Sequence, residues 1–192
     1  MNKFGPSNED AQWIRKSIAG ESESFGCLVQ KYQDRLYNSM VHFLRDETEA
    51  EDVVQECFVL SYTRLAKFKG NSSFYTWLYR IAVNAAISRR RKKRPQVSVE
   101  RDLGEFGSQI EGTDAQPSDR MNHEERSRQL HVALQRLHDE HRMILVLREI
   151  DGLSYEEIAE IIGKPLGTVR SRLHRARIQL KEELAAYFQD NT

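Results

Sequence analysis

The segment TVRSRLHRAR (168–177) gathers four arginines, a histidine, a serine and a threonine, with no carboxylate among them. Arginine presents two parallel donors that suit a guanine edge or a phosphate, while serine and histidine donate or accept at base edges. Leu166, Val169, Leu173, Ala176 and Leu180 recur at alternating intervals of three and four, so on a helix they form one apolar stripe. At about 100° per residue, Ser171, His174, Arg175 and Ile178 turn away from that stripe, with Arg170, Arg172 and Arg177 flanking it. An apolar back and a basic front suit docking in a DNA major groove. An ordinary amphipathic surface helix has the same stripe, so the preceding residues must decide.

Those residues are GLSYEEIAEIIGKP (152–165). Ser154 can cap a helix N-terminus while Glu157, three residues on, reaches back to the cap amide, and Leu153 and Ile158 are placed for a hydrophobic staple. The short helix should end at Gly163, which tolerates a left-handed turn. Pro165 suits the first turn of a new helix, where its missing N–H is no loss. Two helices meeting at a tight glycine-containing turn predict a helix-turn-helix.

A second constellation lies in FKGNSSFYTWLYRIAVNAAISRRRKKR (68–94). Lys69, Gly70, Asn71, Ser72 and Ser73 are turn residues whose side chains can bond a base placed among them. Tyr75, Trp77 and Tyr79 offer flat surfaces on which unstacked bases contribute roughly 1–3 kcal/mol each. Core burial is at least as good an account of Trp77, and Phe74, Leu78, Ile81 and Ala85 read as core. Arg80 and Asn84 share another face, four residues apart. Six consecutive cations, Arg89–Arg94, close the segment and are suited to phosphates. Together these features fit DNA that has been opened.

Around these motifs the apolar spacing is helical throughout, as in Leu28, Tyr32, Leu36 and Met40 and again in Val53, Val54, Cys57 and Phe58. The fold class expected is all-α, with two small helical domains at 1–94 and 123–192. Residues 95–122 join them, rich in Gly, Pro and Ser; over 95–120 six carboxylates face two cations, which reads as a flexible acidic linker. Net charge is zero in 192 residues, yet DETEAEDVVQE (46–56) holds six carboxylates and no cation. A basic face points to a polyanion, and a separate acidic face points to a basic partner. Metal catalysis by Glu47, Glu49, Glu51, Asp52 and Glu56 lacks the Glu-x-x-His pattern of helical di-metal sites. No catalytic residue, metal ligand or cofactor site is expected. Two cysteines suggest no disulfide framework. With no apolar run near the 20 residues of a membrane span and a polar start, the expected location is cytoplasmic.

EAEDVVQECF (49–58) followed by FYTWLYRIAVN (74–84) resembles the second conserved region of bacterial RNA polymerase sigma factors of the extracytoplasmic-function (ECF) group. LVLREIDGLSYEEIAEIIGKPLGTVRSRLHRAR (145–177) resembles their fourth region nearly throughout. The resemblance implies an alternative sigma factor that binds core polymerase and directs initiation at promoters. It implies −10 recognition through Lys69, Asn71, Ser72, Ser73, Tyr75, Trp77, Tyr79, Arg80 and Asn84. It implies −35 recognition through Thr168, Arg170, Ser171, Arg172, His174 and Arg175. Asp52, Gln55 and Glu56 correspond to the surface that docks on the β′ clamp, region four would sit on the β flap, and an anti-sigma protein would hold the factor inactive. The sequence departs from the family at His138, where proline is common, at Cys27, and at His174 among the recognition positions.

Two other readings share parts of the pattern: a helix-turn-helix regulator acting without polymerase, and a nuclease using the acidic helix. A flexible linker of 26 residues spans about 28 Å on average and at most roughly 95 Å when extended. Elements one to two duplex turns apart lie roughly 34–68 Å apart. Free protein should therefore bind a promoter weakly, with polymerase holding the two halves apart.

Overall fold

A computed structural model describes residues 5–93 and 129–190. The expected linker at 95–122 lies outside the described residues. All regular structure among those residues is helical: α1 (Asn8–Ile18), α2 (Ser22–Leu44), α3 (Glu47–Arg64), α4 (Phe74–Lys93), α5 (129–136), α6 (Asp139–Leu145), α7 (Tyr155–Ile162) and α8 (Leu166–Asp190). Among the described residues no helix is long and apolar enough to cross a membrane.

In the N-terminal half, side-chain oxygens cap α1, α3 and α4. Ser7 accepts from the Asp10 N–H at 3.1 Å, Asp46 from Glu49 at 2.8 Å, and Ser73 from Thr76 at 3.0 Å, satisfying donors that a helix start leaves open. The core of this half includes Leu28, Leu36, Met40, Val53, Cys57, Phe74 and Leu78, all fully buried. Cys57 is a core thiol donating to the Leu78 carbonyl at 3.3 Å, and burial pushes its pKa up. Cys27 is only half-buried. α1 is tied down by its buried Asp10, which accepts from Lys31 and Tyr32 of α2, each at 2.8 Å.

The C-terminal half packs Leu134, Leu137, Ile144, Leu147, Ile158, Val169 and Leu173 into its interior. His138 precedes α6 with φ −58°, close to the value proline would impose, which explains why the departure there leaves the corner intact. Following α6, residues Val146–Ile150 widen into one π turn, closed by the Asp151 N–H on the Val146 carbonyl at 3.0 Å. Such turns often mark functional positions. This one sets Asp151 at the junction of the two halves.

The halves pack directly on one another. Arg142 of α6 is fully buried; its Nε donates to the Phe43 carbonyl of α2 at 3.1 Å and its Nη1 to the Leu137 carbonyl at 3.1 Å. Asp139 accepts from the same guanidinium. Arg45, in the left-handed region at φ 66°, ends α2 and reaches across to the Leu137 carbonyl at 3.3 Å. The rings of His42 and His131 meet 5.6 Å apart, and burial lowers both pKa values.

Buried carbonyls that lose a charged donor keep their desolvation cost, about 1–3 kcal/mol for each group. Arg142→Ala should therefore lower unfolding free energy by at least about 2 kcal/mol. Urea denaturation followed by circular dichroism measures it; a change within about 0.5 kcal/mol, as at an ordinary surface site, would remove Arg142 from the framework.

Candidate nucleic-acid interface

The helix-turn-helix forms as its local chemistry dictates. Ser154 Oγ accepts from the Glu157 N–H at 3.2 Å, and Glu157 Oε2 accepts from the Ser154 N–H at 2.9 Å, a reciprocal capping box. Gly163 ends α7 in the left-handed region at φ 63°. Pro165 lies one residue before α8 rather than within its first turn, and its carbonyl accepts from Thr168 and Val169. Val169, Leu173 and Ala176 are buried, with Leu180 partly buried against the core.

The opposite face of α8 carries Arg170, Ser171, His174 and Arg175, all exposed. Thr168 and Arg172 are half-buried. Arg172 pairs with Glu140 at 3.1 Å, and Arg177 grips Glu149 at 2.7 and 3.0 Å. Among the described residues Arg170 and Arg175 make no ion pair, so the cationic donors of this face narrow to two. The Ser171 hydroxyl bonds back to the Thr168 carbonyl at 3.1 Å.

The loop and start of α4 are built differently. Lys69 and Asn71 are exposed, and Gly70 turns the chain at φ 69°. Ser72 is buried, and Ser73 is engaged as the α4 cap, with its Oγ also 2.7 Å from Thr76 Oγ1. Trp77 is half-buried against Phe68 and Phe74, with ring centres 5.2 and 5.8 Å away. Arg80 and Asn84 share an exposed face, while Ile81 and Ala85 point inward.

Tyr75 and Tyr79 are 3% and 1% exposed. Tyr32 stacks on Tyr75 at 5.5 Å, and the Arg35 guanidinium lies 4.0 Å from the same ring centre. The Tyr75 hydroxyl donates to Asp151 Oδ1 at 2.8 Å, and Ser39 Oγ lies 2.7 Å from that oxygen. Arg35 Nη2 donates to the Asp151 backbone carbonyl at 2.6 Å. Burial pushes the Asp151 carboxyl up, opposed by Ser39, Tyr75 and the Arg35 charge. Burial and then the Asp151 charge raise both tyrosines. Thr76 Oγ1 donates to Glu157 Oε1 at 3.1 Å, so the capping-box glutamate also touches α4. Sequence reasoning missed Asp151; its only sequence signal was one acid beside a glycine.

On α3, Asp52 and Gln55 are exposed and Glu56 is half-buried. Arg89 bonds Asp52 and Glu56, each at 2.8 Å, and those two contacts raise its pKa. The first cation of the basic run thus turns to the acidic helix instead of standing ready for phosphate. The side chains of the remaining five fall outside the described residues. Among the described residues no three or more potential metal ligands come together.

Comparison with known proteins adds to this geometry. Residues 28–96 match the family described as Sigma-70 region 2, and residues 127–180 match Sigma-70, region 4. The RNA polymerase sigma-H factor of Pseudomonas aeruginosa is 39% identical over 184 residues, which cover 92% of this chain and 94% of that protein. The ECF RNA polymerase sigma factor SigW of Bacillus subtilis is 37% identical over 176 residues, covering 89% and 94%. The ECF RNA polymerase sigma-E factor of Escherichia coli K12 is 39% identical over 174 residues, covering 88% and 90%. Among solved structures, CnrH in complex with the cytosolic domain of CnrY is similar with a TM-score of 0.69 and 27% identity, covering 93% of this chain and 99% of that one. The sigma factor RpoE of Bartonella quintana, in complex with the anti-sigma factor NepR, has a TM-score of 0.68 and 25% identity, covering 85% and 98%.

Proposed function

The chain belongs to the sigma-70 family of RNA polymerase sigma factors, in its ECF group, and from that membership we propose how its own residues divide the work of initiation. It is an alternative sigma factor that directs transcription initiation. The observation that carries the division is the contrast between its two reading faces. The α8 face stands open with two uncommitted arginines, as a duplex reader needs; the loop before α4 and the outer face of α4 expose Lys69, Asn71, Arg80 and Asn84 beside the half-buried Trp77, as a strand-capturing site needs.

Residues 1–94 act as region two and 123–192 as region four. Arg170, Ser171, His174 and Arg175 meet base edges and phosphates of the −35 duplex, while Thr168 and Arg172 support that helix at the groove wall. Asn71 is the exposed loop residue best placed to accept a base turned out of the −10 strand. Lys69, Arg80 and Asn84 line the path beside it, and Trp77 contributes the edge of a stacking surface. Ser72 and Ser73 hold the loop in shape, the latter through its cap on α4. The carboxylates Asp52 and Glu56, with Gln55, form the docking face for a basic surface on the β′ clamp of core polymerase. Arg89 stands on those carboxylates as an internal counter-ion that the clamp would replace. Region four rests on the β flap.

An anti-sigma protein is a partner, as NepR is for RpoE of Bartonella quintana, and the chain acts in the cytoplasm, where polymerase is. It performs no bond chemistry; phosphoryl transfer belongs to polymerase.

Run-off transcription from a randomised promoter library, with purified core and this chain, should select two fixed-spaced elements; core alone matching it would overturn the reading. On the selected duplex, Arg175→Ala should cost about 1–3 kcal/mol at one −35 position, and equal losses at every sequence would reassign the residue to phosphate. Asn71→Ala should slow strand opening, followed by permanganate reactivity of the melted element, and leave −35 duplex affinity unchanged; an unaltered opening rate would exclude Asn71 from base capture.

A further inference from the structure

Ile87 stands outward on a helix whose neighbouring Ile81, Val83, Ala85 and Ala86 are buried; it is 43% exposed. A single exposed isoleucine needs no explanation in general, so its place must carry the argument. On a helix turning about 100° per residue, Trp77, Arg80, Asn84, Ile87 and Ser88 fall within an arc of about 100°. Arg80, Asn84, Ile87 and Ser88 are all exposed along that arc, and Trp77 is half-buried. Ile87 therefore continues the outer face of α4, one turn beyond Asn84.

That face suits nucleic acid. From Cys57 to Val99 the chain carries no carboxylate, so nothing on α4 itself repels a phosphate backbone. At 1.5 Å per residue, Ile87 lies roughly 15 Å along the axis from Trp77, about four steps of stacked DNA at 3.4 Å. The loop end of α4 thus receives the captured base, and the Ile87 end meets bases several positions away. An aliphatic side chain offers those bases no hydrogen bond. The apolar group that a base edge presents in the major groove is the C5-methyl of thymine, and the other bases have no counterpart. Arg80 and Asn84 can serve phosphates and hydrogen-bonding edges, so Ile87 adds a discrimination that neither provides.

We propose that Ile87 is a specificity-determining residue of the α4 face, and that it contacts the C5-methyl of one thymine in or beside the −10 element, several positions from the captured base. This inference rests on the assignment of α4 to strand capture. It makes the promoter preference of this chain depend on a methyl group as well as on hydrogen bonds. Burying one methyl-sized group corresponds to about a fourfold effect. No rearrangement of the helix is needed, because the side chain already stands in solvent on the face where the strand lies.

The test uses holoenzyme, purified core with the full chain, on a promoter selected from the randomised library. Each thymine in and beside the −10 element is replaced singly, on either strand, by deoxyuridine, which pairs with adenine but lacks the methyl group. Open-complex formation is read as heparin-resistant run-off transcript. With the parent chain, one replacement should slow opening about fourfold. Ile87→Ala should run at that slower rate on the thymine promoter and respond no further to the replacement. The variant keeps the fold, since the side chain points outward and alanine favours helix. Ile18→Ala, which removes another exposed isoleucine, from α1, should retain the parent's methyl dependence. A parent with no methyl-dependent position overturns the proposal. So does a methyl dependence that survives Ile87→Ala, and a variant slowed alike on thymine and uracil templates while that dependence persists assigns the residue to a contact with polymerase. The strand-capture reading fails separately, when Asn71→Ala and Arg80→Ala leave opening unchanged whatever the methyl dependence of the parent.

Discussion

A carboxylate taken out of water must be given donors in place of its hydration. Around Asp151 that requirement organises the meeting of the two halves. The π turn after α6 delivers the acid, and α2 and α4 supply the hydroxyls and guanidinium that hold it. Arg142 solves the converse problem a short distance along the chain. A buried cation needs acceptors, and it finds backbone carbonyls from both halves as well as Asp139. Opposite charges, the acid received by the other half and the cation shared between both, make the contact directional in a way that apolar burial alone would not.

The same pairing of charges sorts the cations available to a polyanion. Arg172 and Arg177 are committed to Glu140 and Glu149, and Arg89 to Asp52 and Glu56. These pairs are solvent-exposed on at least one side, so they add little to stability. They also thin a basic sequence to a few arginines aimed outward, and they give the acidic faces internal partners.

Much of the molecule was legible from short-range pattern. The Ser154–Glu157 capping box, the glycine end of α7, the apolar stripe of α8 and its exposed Arg170, Ser171, His174 and Arg175 all appear where their spacing places them. Phe74, Leu78, Ile81 and Ala85 are core, as their period implies. Each depends on contacts within a turn or two of helix, which the order of residues determines directly. The loop before α4 was harder to read. Ser73 reads as a base-binding residue by type and is also a helix cap, since one hydroxyl serves either purpose and only geometry distinguishes them.

By itself, then, the order of residues determined the all-helical class, the capping box and glycine end of α7, the exposed face of α8 and the family to which the chain belongs. Tertiary structure alone decided that Tyr75 and Tyr79 lie covered, that Asp151 is a buried contact between halves, and that three of the arginines are already paired. The physical reason is range. Helix spacing is a local property carried by neighbours three and four residues apart, whereas Ser39 and Asp151 are brought together across 112 residues of chain. No periodicity records such a partner; it exists only once both surfaces are built and the donors of one face the acid of the other.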